Sequence, residues 1–240
     1  MESFASFKEY LTAMKELIKQ GKDLKAMLEE AMGLQARLVA NPALILEDLA
    51  ALIEAERKSI YWPVDLNDLT IYRDPDKLFS VRLFVWEANV PYPIHDHGAW
   101  GVVAGLANQV KETKYRRLDD GRDEGMAELE VAKESVLSPG ETTYVLPLNE
   151  GIHRMEAQGG VTGLTLHTYG KPIRTGFIQG FNWHNGKVYK LYPMAVHRQV
   201  VAIKALQAIG GGEAKSLLMD VAQKGNDLIK SICEETLTKM

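Results

Sequence analysis

Residues 79–109 read FSVRLFVWEANVPYPIHDHGAWGVVAGLANQ, and this stretch decides what the rest of the chain can be. Phe79–Trp86 and Gly101–Gln109 are apolar runs of strand length, rich in Val and aromatic residues, types that fit a pleated, half-buried surface. Between them stand His95 and His97. Side chains two apart on a strand point the same way, so both imidazoles face one side while Asp96 faces the other. That is metal-ligand geometry. Working outward, period-two runs continue at Val131–Leu137, Thr142–Leu146 and Gly163–Tyr169, with proline or glycine breaks every eight to twelve residues. This spacing predicts a sandwich or barrel. The acidic, patternless stretch Asp119–Glu130 reads as a long hairpin loop.

Both flanks change period. From Met1 to about Lys58 the apolar residues recur at three and four: Phe7, Leu11, Met14, Leu17, Ile18; Leu24, Met27, Leu28, Met32; Leu46, Leu49, Leu52, Ile53. Three helices are predicted. Ser6 with Glu9 makes a capping box, Gly21 stops the first helix, and Asn41-Pro42 starts the third. After about Tyr192 helical spacing returns in Val196, Val200, Ile203 and Leu206, then Leu217, Leu218 and Val221, then Leu228, Ile229 and Ile232. The organisation is therefore a helical segment over 1–60, a β domain over 61–192 and a helical tail over 193–240. The helices are expected to cap the β core; a partner or homodimer contact is the alternative role for the tail.

Composition narrows the function. Lys and Arg number 28 against 32 Asp and Glu, a net charge of −4 with no basic block, so the electrostatic footprint of nucleic-acid binding is missing. One cysteine, Cys233, cannot close an internal disulfide and fits a reducing compartment, with the cytoplasm as default. No apolar run is long enough for a membrane span, and the first twenty residues lack a signal-peptide core. His153 and His167 join the first histidine pair inside the β region, whereas His184 and His197 are isolated. Trp86 and Trp100 flank the pair and read first as core residues.

Three segments together, Pro93–Gly101, Gly151-Ile152-His153-Arg154 and Leu166-His167-Thr168-Tyr169-Gly170, resemble the cysteine dioxygenase type of thiol dioxygenase in the cupin superfamily. The likeness runs from about Tyr72 to Tyr192, roughly half the chain. It implies a mainly β fold, a cupin barrel (double-stranded β-helix or jelly roll) with N-terminal and C-terminal α-helical additions. It also implies that His95, His97 and His153 bind Fe(2+). Most cupins add a carboxylate four residues after the second histidine; here that position is Gly101. Three neutral imidazoles leave the ion's double charge whole, so an anionic ligand is wanted from the substrate. A thiolate supplies it, and addition of both atoms of dioxygen to sulfur gives a sulfinate.

Thr165, His167 and Tyr169 alternate along one strand. By the resemblance they form a hydrogen-bond relay in which threonine replaces the family's serine. Tyr169 would orient substrate or oxygen, His167 hold the phenol and Thr165 fix the imidazole. Val102 stands where animal members carry a cysteine crosslinked to the tyrosine, so no thioether is expected. A carboxylate on the substrate calls for an arginine, whose planar guanidinium pairs with it bidentately. Arg73 occupies the position used by cysteine-selective members, and Arg174, after Tyr169-Gly170, is the rival. Two other readings stay open: a metal cupin of different chemistry, such as carbon–carbon cleavage by dioxygen, and a non-catalytic cupin that binds a small molecule.

Overall fold

The computed structural model describes residues 3–45, 67–193 and 211–240, with 48, 199, 200, 203, 206 and 207 besides. The third expected N-terminal helix, most of the first tail helix and His197 lie outside the described residues. The chain forms two compact units, Met1–Ile173 with Gly180–Val188, and Arg174–Gln179 with Tyr189–Met240.

The first unit begins with helices α1 (Phe7–Lys19) and α2 (Leu24–Val39). Ser6 Oγ accepts from Glu9 N at 3.2 Å, satisfying one first-turn donor, and Glu9 Oε2 accepts from Ala5 N at 3.1 Å, tying down the segment before the cap. Gly21, at φ +65°, turns the chain out of α1. A short 3-10 helix, Pro42–Ile45, follows Asn41.

Eleven strands follow among the described residues: β1 (Asp68–Arg73), β2 (Phe79–Trp86), β3 (Ile94–His95), β4 (Gly101–Ala107), β5 (Val110–Arg117), β6 (Leu129–Leu137), β7 (Thr142–Val145), β8 (His153–Ala157), β9 (Gly163–Gly170), β10 (Ile178–Phe181) and β11 (Val188–Leu191). They form two antiparallel sheets, in the orders β1-β2-β9-β4-β7 and β11-β10-β3-β8-β5-β6. The pairs are nested: β2 with β9, β3 with β8, β4 with β7 and β5 with β6. One long two-stranded ribbon is thus rolled up, successive pairs alternating between sheets, with β4·β9 and β5·β8 closing the roll. This is the jelly-roll barrel of the cupin type, mainly β with helical additions. The strand expected over 101–109 stops at Ala107, because Asn108 takes a left-handed φ of 56° and redirects the chain to the other sheet.

Helices α1 and α2 cover the outer face of the five-stranded sheet, where Tyr10, Met14, Leu28 and Leu38 pack on Val81, Leu83, Val102, Ala104 and Leu166. β4 is therefore buried on both faces, which is why Gly101–Ala107 shows no polar alternation. The strand segments are held to the helices by one buried polar cluster. Gln35 Nε2 donates to Leu166 O at 2.8 Å, and its Oε1 accepts from Tyr10 (2.6 Å) and Thr168 (2.9 Å). In the second unit, helices α3 (Gly211–Lys224) and α4 (Asp227–Leu237) enclose Leu218, Ala222, Ile229 and Cys233. Among the described residues no helix is long and apolar enough to cross a membrane.

Replacing Gln35 by Met keeps its volume but leaves Leu166 O without its donor in a dry interface. A loss of about 1–3 kcal/mol is expected, read as a lower urea midpoint at unchanged slope.

Candidate metal centre

The register of the six-stranded sheet sets His95 on β3 directly opposite His153 on β8. His97 follows two residues on. The three ring centroids stand 4.8, 4.9 and 5.0 Å apart, and one ring nitrogen from each lies within 4.8 Å of the others. His97 Nε2 and His153 Nε2 are 2.9 Å apart. Two nitrogens bound at right angles to one ion, each at about 2.1 Å, would lie ~3.0 Å apart. The donor set and its spacing fit a divalent transition metal.

The outward nitrogens of two of these histidines are held by groups that can only accept. His95 Nδ1 lies 3.0 Å from Pro93 O, and His153 Nδ1 lies 2.8 Å from Glu112 Oε1. Each Nδ1 therefore carries the proton and each Nε2 keeps its lone pair for the ion. Burial, reinforced by the neighbouring His153, pushes His95 down to about 3. His97 is driven well below the ordinary histidine range by burial, then by His95 and His153.

Glu112 is a functional residue that the sequence reading missed. It sits fully buried on β5, accepts from Thr143 Oγ1 at 2.9 Å and lies 3.7 Å from Lys114 Nζ. Burial pushes its carboxyl up, but the His153 N–H, Lys114 and Thr143 together hold it below its ordinary value. Alternation with the buried Val110 was the available signal: it turns Glu112 inward, where a carboxylate needs a partner.

Opposite the histidines, from the other sheet, β9 presents Thr165, His167 and Tyr169 on its inner face. Trp86 Nε1 donates to Thr165 Oγ1 at 2.7 Å. Thr165 Oγ1 lies 2.7 Å from His167 Nε2, and His167 Nδ1 lies 2.9 Å from the Tyr169 hydroxyl. Indole can only donate, so Thr165 Oγ1 accepts from Trp86. When Thr165 gives its own proton to His167 Nε2, the neutral imidazole donates from Nδ1 to the phenol oxygen and the Tyr169 O–H is left to donate onward. Burial holds His167 neutral and raises the Tyr169 phenol well above its ordinary value, with Arg82 pulling the latter down. Tyr169 stacks on His97 at 5.2 Å between centroids.

Gly101 makes room for that ring. A Cβ there would stand 2.6 Å from Tyr169 Cδ1 and Cε1, closer than real side-chain atoms come. A side chain at position 101 is thus barred by the phenol ring. Val102 is buried against the helices and Cys233 lies in α4.

Of the expected arginines, Arg73 ends β1 exposed. It pairs with Ser80, which pairs with Tyr169, so Arg73 lies on the same sheet face as the phenol. Arg174 belongs to the second unit, its guanidinium 4.9 Å from the Phe177 ring centroid and its Nε donating to Phe177 O at 3.4 Å. His184 lies in an exposed turn. Trp100 packs on the backbone of Gly170 and against the core under the helices.

No protein-family model matches the chain. Among solved structures, TT1209 from Thermus thermophilus is 15% identical, over 49% of this chain and 93% of that one, at a TM-score of 0.34. The cupin domain of Schizosaccharomyces pombe Cnp3 is 8% identical, over 43% and 59%, at 0.33. The hydroquinone 1,2-dioxygenase PnpCD, solved with Cd2+ and 4-hydroxybenzonitrile, is 12% identical, over 50% and 71%, at 0.34. Likeness at this level brings no activity, substrate or cofactor to this chain.

Two outcomes follow from the geometry. Glu112→Gln, which keeps the shape but removes the charge behind His153, should weaken zinc binding about 10–100-fold in competition with a chromophoric chelator. The metal-free protein should lose stability on acidification. His97 and His167 are neutral in the folded state, whereas unfolded histidine titrates near 6.5. Below about pH 6.5 the unfolded chain therefore binds protons that the folded one refuses, and stability falls by up to ~1.4 kcal/mol per pH unit for each histidine. Urea midpoints between about pH 7.5 and about pH 5.5 measure it; a flat profile would contradict burial of neutral imidazoles.

Proposed function

We propose that this chain is an iron-dependent thiol dioxygenase, which adds both atoms of dioxygen to the sulfur of a small free thiol, cysteine-like or 3-mercaptopropionate-like, to give a sulfinate. The observation that carries the reading is the pairing of a three-imidazole cluster with a relay that ends on a phenol O–H beside it. A ferrous ion held by His95, His97 and His153 would supply, when bound, open positions for thiolate and dioxygen and one-electron chemistry to join them; the four electrons that reduce dioxygen come from the sulfur, so RS− and O2 give RSO2− with no external reductant.

The chain's own residues do the rest. The imidazoles, held neutral, bring no negative charge, and Gly101 under the Tyr169 ring bars a carboxylate from joining them. A thiolate from the substrate then meets the need for an anion. Tyr169, protonated throughout, donates one hydrogen bond toward the reacting groups, its oxygen fixed by His167 Nδ1. His167 is fixed in turn by Thr165 and Trp86, so the phenol does not reorganise as charge develops. Arg73, on the same face, offers its guanidinium to the substrate carboxylate from the rim; Arg174 has its own contacts in the second unit.

The test is oxygen uptake by iron-loaded protein with cysteine, 3-mercaptopropionate and cysteamine, with sulfinate measured by mass spectrometry. One sulfinate per dioxygen is expected for at least one thiol. Silence of a demonstrably iron-replete sample with all three would overturn the reading. Tyr169→Phe should lower kcat about tenfold or more, one hydrogen bond to a charged group being worth about 1.5–3 kcal/mol, without lowering the iron content.

A further inference from the structure

Phe79–Trp86 is an apolar strand with one charge in it, Arg82. Alternation turns Arg82 to the inner face of β2 with Phe84 and Trp86, and the register sets it opposite His167. Phe84 lies 4.3 Å from the His167 ring centroid, and the Arg82 guanidinium carbon lies 5.7 Å from the centroid of Tyr169. A charge is therefore held inside the barrel, beside the relay. It pairs with Asp68, Nη1 to Oδ2 at 2.8 Å, and its side chain is 30% exposed. Among the described residues its buried Nε has no hydrogen-bond partner.

Structural duty explains this poorly. The Asp68 pair offsets part of the cost of a guanidinium on this face, but the buried Nε–H without an acceptor is a cost that remains. A single contact to one Asp68 oxygen leaves most of a planar, five-donor fork unused, and that fork matches a carboxylate. The charge of the chamber points the same way. An imidazole brings no negative charge, and Glu112 is already engaged by His153 and Thr143.

We infer that Arg82 is a specificity-determining residue that binds the carboxylate of the substrate inside the chamber, selecting acidic thiols over aminothiols. The inference rests on the reading of the site as one that takes a thiol. It assigns the inner contact to Arg82, with Arg73 at the exposed rim as the outer one.

The test is calorimetric binding to the full chain loaded with zinc, which needs no turnover, with 3-mercaptopropionate, propionate and cysteamine as probes. Wild type should bind both carboxylates, and Arg82→Met should weaken both at least tenfold while leaving cysteamine unchanged. Arg82→Lys should fall between. Asp68→Asn, which keeps the guanidinium and frees it from its partner, should bind carboxylates as well as wild type or better, separating loss of the cation from loss of the ion pair. Zinc content and circular dichroism confirm folding of each variant. If propionate binds but neither thiol does, the thiol reading fails, and the effect of Arg82→Met on propionate alone decides this inference. Failure of wild type to bind either carboxylate overturns it. So does equal weakening of all three probes by Arg82→Met, or loss of carboxylate binding in Arg73→Ala with Arg82→Met unaffected.

Discussion

The structure depends on one strand being gripped from both sides. β9 alternates between two buried faces, and a shift of one residue would exchange everything each face carries. On the outer side Leu166 and Thr168 are held by Gln35 and Tyr10 of the helices. On the inner side Thr165, His167 and Tyr169 face the histidines of the other sheet. The helices thus do more than cover apolar surface: hydrogen bonds with fixed partners specify a register that hydrophobic contact alone would specify loosely, and that register aims the relay.

The site is assembled by polarity as much as by distance. Each histidine whose outer nitrogen meets an obligate acceptor is forced into one tautomer, and a relay that begins at an obligate donor, the indole of Trp86, runs through Thr165 and His167 to Tyr169. The buried groups act as a preorganised set of dipoles. Burial keeps His95, His97 and His167 neutral and the Tyr169 phenol protonated.

Much of this was legible in the sequence where the signal is local. Phe79–Trp86 appears with the bounds that its apolar run implies, and the spacing of His95 and His97 fixes their common side. The Ser6 cap of α1 is formed by the residue that announces it, while Glu9 reaches back to Ala5 N, one residue before the cap. What was not legible depends on pairing between distant strands. Glu112 becomes the partner of His153 only because β5 lies beside β8, with Lys114 opposite that histidine. Arg82 reaches the relay only because β2 lies beside β9. Trp86 looked like core from composition, and it is buried, but its N–H has a chemical task that a hydropathy pattern does not encode.

The contact between Gly101 and the Tyr169 ring has an evolutionary meaning. A carboxylate cannot be introduced at position 101 while an aromatic ring fills the space above it, and the ring cannot be removed without opening a void beside His97. The two positions form a single either-or choice. Lineages that share this barrel should therefore exchange them together, a bare backbone with a phenol in one branch and a ligating acid with a small residue in another, with intermediates disfavoured between the two.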